Sequence, residues 1–263
     1  MLKHYLRDTR SEGETFAVFL DFMSLPQKPR SETDNVLFGR ALAGLSDWYS
    51  HPRTIVFKIT ALPAGYPDGF VFDEGSTPNT ADYGGRGWCF MESSVSNMVK
   101  SSALVLDISK FTGESSSNYG TGPAHECVAG RAPPLTKEDF WEQLQRKSFT
   151  SKKADVPTVA ELYNAAVDAR LARATKLDYS DLGWGDAEAI AVSKLLASPV
   201  MAVLNTLYLD GNKIGDEGAK AIADALKYNA VLKLNTLWVD SSIGKHPQLV
   251  AACRAKGVEL TSI

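Results

Sequence analysis

The residues best placed to do chemistry lie in Tyr83-Gly84-Gly85-Arg86-Gly87-Trp88-Cys89-Phe90-Met91-Glu92. Trp88 and Glu92 are four apart, so on a helix they share a face. Glu92 also adjoins an apolar stripe of Met91, Val95 and Val99. A carboxylate beside such a stripe is partly desolvated unless the aromatic edge opens onto a cleft. Desolvation raises a carboxyl pKa and can tune it for acid–base work. Three further places suit a ligand, because in parallel α/β sheets ligands sit at the carboxyl ends of strands. They are Asp21 to Gln27 after the apolar run FAVFL, Thr60 after TIVFKI, and Asp107 with Ser109 after ALVLDI.

Other chemistries find little footing. The chain has no G-x-x-x-x-G-K-[ST] phosphate loop and no G-x-S-x-G elbow. Tyr119-Gly120-Thr121-Gly122 is glycine-rich but opens no helix. The four histidines are scattered, and His125, Glu126 and Cys127 are near-adjacent residues in a Gly/Ser-rich stretch rather than a spaced metal set.

The elements that must position these groups follow from periodicity. The continuous apolar run at 16–20 reads as a strand buried on both faces. Leu37, Ala41, Leu45 and Trp48, spaced by four, four and three, define one face of a helix over 36–49, which His51-Pro52 ends. Strands are expected at 54–59 and 103–108, with a helix from 88 to 100 between them. Strand–helix–strand–helix–strand is the pattern of a parallel sheet with crossover helices. Residues 61–87 and 112–134 read as long loops, 148–157 as a linker, and helices are expected around Phe140, Trp141 and Leu144 and over 157–172.

The chain holds 263 residues, 44% hydrophobic and 22% charged, with net charge −3. That is ordinary globular composition. No basic block points to nucleic acid. No apolar run reaches the ~18–20 residues of a membrane helix. The polar N-terminal stretch reads as no signal peptide. Three dispersed cysteines, Cys89, Cys127 and Cys253, fit a reducing, cytoplasmic setting.

Internal repetition is plain at an offset of 30. TKLDYSDLGWGD from Thr175 aligns with NTLYLDGNKIGD at 205–216 and NTLWVDSSIG at 235–244. The middle copy, L-x-x-L-x-L-x-x-N-x-I-G-x-x-G from Leu204 to Gly218, resembles the ribonuclease-inhibitor type of leucine-rich repeat. That resemblance implies a strand, turn and helix per unit, Asn212 bonding backbone inside the turn, and Ala219, Ile222, Ala223 and Leu226 packing the helix on the strands. The shorter third unit, with serine where asparagine is expected, reads as a C-terminal cap. A protein partner on the strand face is the function such an array implies, although nearly all of its leucines serve the core.

In the first 150 residues, Y-x(4)-W-C-x-x-E from Tyr83 to Glu92 resembles the Toll/interleukin-1 receptor (TIR) domain, above all its plant-type and bacterial NAD-cleaving members. VFLDFMSLPQ at 18–27 is similar to a strand of such domains and, more distantly, of fungal heterokaryon-incompatibility domains. The strand with which TIR domains open has no counterpart before Phe16, and 60–83 is longer than the family's loop. The resemblance implies a three-layer, flavodoxin-like parallel α/β domain over 1–150, joined by a helical linker at 151–174 to about three repeats over 175–263. It implies Glu92 as the catalytic residue for breaking the nicotinamide–ribose bond of NAD, which is substrate rather than cofactor, and activity that depends on self-association. Asp21 and Gln27 would then lie at the cleft rim, Tyr83 or Trp88 would stack on a ring of NAD, and Arg86, with Arg30 a second candidate, would pair with pyrophosphate. Plainer readings stand beside these: Trp88 as a core anchor, Glu92 as a helix cap or an Arg86 partner, Cys89 as a small buried hydrophobe, Asp21 as a turn cap. The non-catalytic alternative is an interaction module or scaffold that uses both parts of the chain.

Overall fold

The computed structural model describes residues 17–20, 24–26, 29–61, 81–112, 123–128, 130–149, 151–228 and 233–263. The chain is an α/β protein with parallel sheets. In its first half, helix α1 (Glu32–Ser50) leads to strand β1 (Val56–Lys58), helix α2 (Gly87–Ser96), strand β2 (Val105–Asp107), short helix α3 (Pro123–Val128), and helices α4 (Lys137–Leu144) and α5 (Lys152–Ala169). β1 and β2 pair in parallel, Val56 opposite Val105 and Lys58 opposite Asp107. Helix α2 connects the two, as the alternating pattern of the sequence requires. It packs on α1 and α5.

Several expectations change here. Residues 17–20 form no strand, although 16–20 reads as one. Phe19 rests its ring on Trp48, with centroids 5.0 Å apart, while Val18 and Leu20 are more than half exposed. The Ser24 hydroxyl accepts from the Leu20 amide at 3.0 Å. Among the described residues the first sheet therefore has two strands. Helix α1 starts earlier than its apolar stripe, because Ser31 and Asp34 form a reciprocal capping box. Its stripe is only partly inward: Leu45 is buried, but Leu37 and Trp48 are about half exposed.

Helix α5 starts at Lys152, inside the expected linker, and is part of the core rather than a connector. Val156, Val159 and Tyr163 are buried along it. Tyr163 stacks on Phe140 at 3.6 Å and exchanges hydrogen bonds with both backbone groups of Leu135. Pro157 falls within the helix, where its missing N–H leaves only the exposed Lys153 carbonyl without an intrahelical donor. The expected surface loop at 112–134 also enters the core, since Cys127, Val128 and Arg131 are buried.

In the second half a strand–turn–helix unit repeats: β3 (Lys176–Asp178), α6 (Asp186–Leu196), β4 (Thr206–Tyr208), α7 (Asp216–Tyr228), β5 (Thr236–Val239) and α8 (Pro247–Lys256). The strands pair in parallel with the 30-residue offset intact: Leu177 faces Leu207, which faces Leu237. A fourth strand, β6 (Glu259–Ser262), pairs with β5 and extends the sheet, an element the sequence pattern had not indicated. Gly257 supplies the left-handed residue (φ 68°) that ends α8 and starts this strand. Alternate residues divide the faces: Leu177, Leu207 and Leu237 point into the core under the helices, with Ala219, Ile222, Ala223 and Leu226 packed above them.

Asn212 joins neighbouring units. Its Oδ1 accepts from the amides of Leu182 and Trp184, at 3.2 and 3.0 Å, and its Nδ2 donates to the carbonyls of Tyr179 and Leu209, both at 2.8 Å. Carboxylates do similar work: Asp186 Oδ1 accepts from the Gly215 and Gly218 amides, and Asp240 from those of Gly211 and Asn212. One apolar cluster runs without a break from Leu45 to Val258. Replacing Asn212 with Ala strips four backbone groups of their partner and is expected to cost about 3 kcal/mol or more. A urea midpoint lowered accordingly, at unchanged m-value, is the check.

Candidate functional site

The site is built at the carboxyl ends of β1 and β2, where the Lys58 side chain reaches α2. Lys58 ends β1, and its amine donates to the Ser93 hydroxyl of α2 at 3.2 Å. Ser93 is the neighbour of Glu92. Two residues past the strand, Thr60 gives its hydroxyl proton to Asp107 Oδ2 at 2.7 Å. Asp107 ends β2 and is buried; its Oδ1 accepts from the Ser109 amide at 3.2 Å. The Ser109 hydroxyl accepts from the amides of Thr60 and Ala61, at 2.8 and 2.9 Å. A serine and an aspartate thus cross-tie the two strand ends, in the places the alternating pattern marks out.

Helix α2 carries the other groups. It begins at Gly87, and its entry is latched to the segment after α4: Gly87 N–H donates to the Ser148 carbonyl at 2.9 Å, and Ser148 N–H to the Gly85 carbonyl at 2.8 Å. The ring of Phe149 lies so close to Gly87 that a Cβ there would stand 1.8 Å from it, so any other residue would have to displace that ring. Lys147 reaches the Gly84 carbonyl at 2.7 Å and covers the Phe90 ring. Met91 and Val95 are fully buried, while Glu92, one step round the helix, is half-buried. Glu92 lies in the second turn, too far from the N-terminus to cap it.

Tyr83 and Trp88 are also half-buried, and Trp88 packs against the apolar cluster, which supports its reading as an anchor. Arg86 sits at the N-cap of α2, and its Nε donates to the Ala81 carbonyl at 2.8 Å. Cys89, expected to be buried, is half-buried instead. Tyr83, Arg86, Trp88 and Glu92 thus come from one helix and its lead-in. Asp21 and Gln27 lie outside the described residues, as do 62–80 of the long loop and Tyr119 to Gly122. Arg30 stands over the Phe38 ring of α1, 3.5 Å from its centroid.

Three cations that sequence reasoning overlooked dominate the electrostatics. Burial lowers the Lys58 amine to about 8, against the pull of Asp107 and with repulsion from Arg131 and Lys110. Arg131 is buried, donates through Nη2 to the Asn97 carbonyl at 2.7 Å, and leaves Nε and Nη1 without a hydrogen bond. Lys100, just beyond α2, is buried and donates to the His51 carbonyl and, at 2.7 Å, to the Thr54 hydroxyl. Lys58 had a visible signal, as the one charge inside TIVFKI. Arg131 had none, because a Gly/Pro-rich context reads as surface. The Cys127 thiol is pushed up by burial and by the carboxylates of Glu126 and Asp107, so it stays a thiol.

Burial, with repulsion from Arg131 and Arg170, lowers Lys100 from 10.5 to about 7. Between those values the unfolded chain holds a proton that the folded chain has released. The contribution of this amine to stability therefore rises with pH across that window and falls as pH drops toward 7. Relative to Lys100→Met, the wild type should gain up to about 1.4 kcal/mol per pH unit between pH 7.5 and 9.5. Parallel urea melts of both proteins across that range are the measurement; a difference that does not change with pH would remove the lowered Lys100 amine from this account.

Comparison of the chain with protein-family models, with curated proteins and with solved structures finds no match.

Proposed function

We propose that the chain is a TIR-like signalling protein that hydrolyses NAD to nicotinamide and an ADP-ribose product. The observation that carries this reading is the placement of Glu92: half-buried on α2, next to the serine that touches the end of β1. In this reading the first half is a flavodoxin-like TIR domain and the second a leucine-rich-repeat array. Nicotinamide leaves with the electron pair of its bond to the ribose, and water adds to the resulting oxocarbenium-like carbon and releases a proton. Glu92 stabilises the positive charge that grows on the ribose, as carboxylates do in glycoside cleavage. Tyr83 and Trp88, on the same helix and its lead-in, offer aromatic faces to the nicotinamide or adenine ring. Self-association would complete the active form, and a cytoplasmic setting suits the free cysteines. No helix among the described residues is long and apolar enough to cross a membrane.

A second reading has its own observation. On the strand face of the repeats, Tyr208 and Trp238 stack with centroids 5.6 Å apart, and the Lys176 amine stands 4.3 Å over the Tyr208 ring. Half-exposed stacked aromatics on an open sheet face suit a protein partner, which is the interaction-module alternative. The deciding experiment is nicotinamide release by the purified chain at high concentration, beside Glu92→Ala. The catalytic reading expects release from the wild type and a loss of roughly a hundredfold or more in the variant. No release from folded wild type, even when clustered, would leave the interaction module as the function.

A further inference from the structure

We propose that the strand face of the repeats docks a basic polypeptide segment, with an arginine of that partner stacked on Trp238 above Thr261 and paired with Glu259. The inference deepens the interaction reading above and rests on it. It is independent of Glu92 and of NAD cleavage.

The argument starts from the side chains that the sheet turns outward. Leu177, Leu207 and Leu237 are buried, so the residues on either side of each point to the opposite face. In register across the four strands, one row of that face is Asp178, Tyr208, Trp238 and Thr261, all partly exposed. Lys176 and Glu259, both exposed, stand at the two ends of the row before it. The middle is aromatic. Tyr208 carries the Lys176 amine over its ring at 4.3 Å, and stacks on Trp238 with centroids 5.6 Å apart and planes 14° from parallel. Trp238 thus spends one ring face on Tyr208. On its other side the neighbour in register is Thr261, a side chain too short to cover an indole. The seating of Lys176 shows that this stack takes a cation.

The charge around the stack is acidic. Asp210 and Asp240 follow the buried Leu209 and Val239, so they extend the same face past Tyr208 and Trp238. The Asp210 carboxyl is pushed up by burial and by Asp181, Asp178 and Asp240, so the side-chain charges that act on it are like charges. Asp178 also acts on the buried Arg131 and is held by the Ser180 hydroxyl, and Asp240 spends both oxygens on the Gly211 and Asn212 amides. These carboxylates set the field rather than make the contact. Glu259 is the one placed for contact: it is exposed, and its side chain has no hydrogen bond or ion pair among the described residues. It lies two residues before Thr261 on β6, a spacing of about 7 Å on the same side of the strand. A guanidinium presents a flat face to an indole and a fork to a carboxylate, which an ammonium does not, so arginine suits this place better than lysine.

The test is binding by the full chain, read as fluorescence anisotropy of a dye-labelled, capped octapeptide of alternating Arg and Ser, beside versions with Lys, Glu or Leu in place of Arg. The Arg peptide should bind with an affinity that falls as salt rises, the Lys peptide more weakly, and the Glu peptide not at all. Trp238→Ala and Glu259→Lys should each weaken the Arg peptide about tenfold or more. A Glu or Leu peptide that binds as tightly as the Arg peptide, and is lost in Trp238→Ala, would overturn the basic partner and leave the docking face in place. No binding of any of the four at millimolar concentration would overturn the proposal together with the face it rests on. Should Trp238→Ala fail to fold, Glu259→Lys, on an exposed side chain, carries the test: an Arg peptide that binds it as tightly as wild type would overturn the proposal.

Discussion

The buried seam around Arg131 is the constraint on which the rest of the structure depends. Its guanidinium holds the carbonyl of Asn97 at the end of α2, and its own carbonyl accepts from the indole N–H of Trp184 at 2.6 Å. Tyr179, on the first repeat unit, gives its hydroxyl proton to the Met98 carbonyl at 2.5 Å. Asn97 Nδ2 closes the seam on the Ala132 carbonyl at 3.0 Å. Buried polar groups of this kind are worth little when satisfied and costly when stripped, so they define one arrangement rather than many. Tyr179 is fully buried, and its hydroxyl is pushed well above the usual phenol range by desolvation, so it remains a donor at any physiological pH.

From this seam the site follows. The far end of α2 is tied to the repeats, and its near end is latched to Ser148 and closed by Phe149 over Gly87. A helix fixed at both ends holds Ser93 where the Lys58 amine at the end of β1 reaches it, with Glu92 one residue earlier on the helix. Two strands of three residues each could not do this alone, since a short two-stranded sheet is marginal without packing partners. Helices α1 and α5, and through them the repeats, supply the missing support. Arg170 of the last turn of that support reaches back to Asp47 of α1 at 3.1 Å, although so exposed a pair adds little.

The repeats were legible because their signal is redundant: leucines at fixed offset, an asparagine with defined partners, and glycines where backbones meet. The register of Leu177, Leu207 and Leu237 follows from it directly. The strands 56–58 and 105–107 were legible from β-branched runs, and Thr60, Asp107 and Ser109 at their ends from topology, but not Lys58. What misled was local pattern without its context. Phe16 to Leu20 has the composition of a buried strand, but strand formation needs a neighbour to pair with, and Phe19 found Trp48 instead. The stripe on α1 has helical spacing, yet amphipathicity says only that a face is apolar and not that something covers all of it. Arg131 was invisible because its burial is set by Tyr179 and Trp184, some 50 residues away in sequence. β6 was missed for a related reason, since ELTS carries little apolar signal and forms because β5 offers it a free edge.

The claim at the centre of this account is that α2, with Glu92 on it, is held by the repeats rather than by its own small sheet. Native-state amide exchange on the wild type and on Tyr179→Phe tests it most directly. The account predicts that amides from Val95, in the last turn of α2, to Val99, just beyond it, exchange through the same opening as those of Leu207 and Leu237, and that Tyr179→Phe lowers the protection of both by the same factor. Fast exchange in α2 beside fully protected repeat strands, unchanged by Tyr179→Phe, would contradict it and would make the two halves independent.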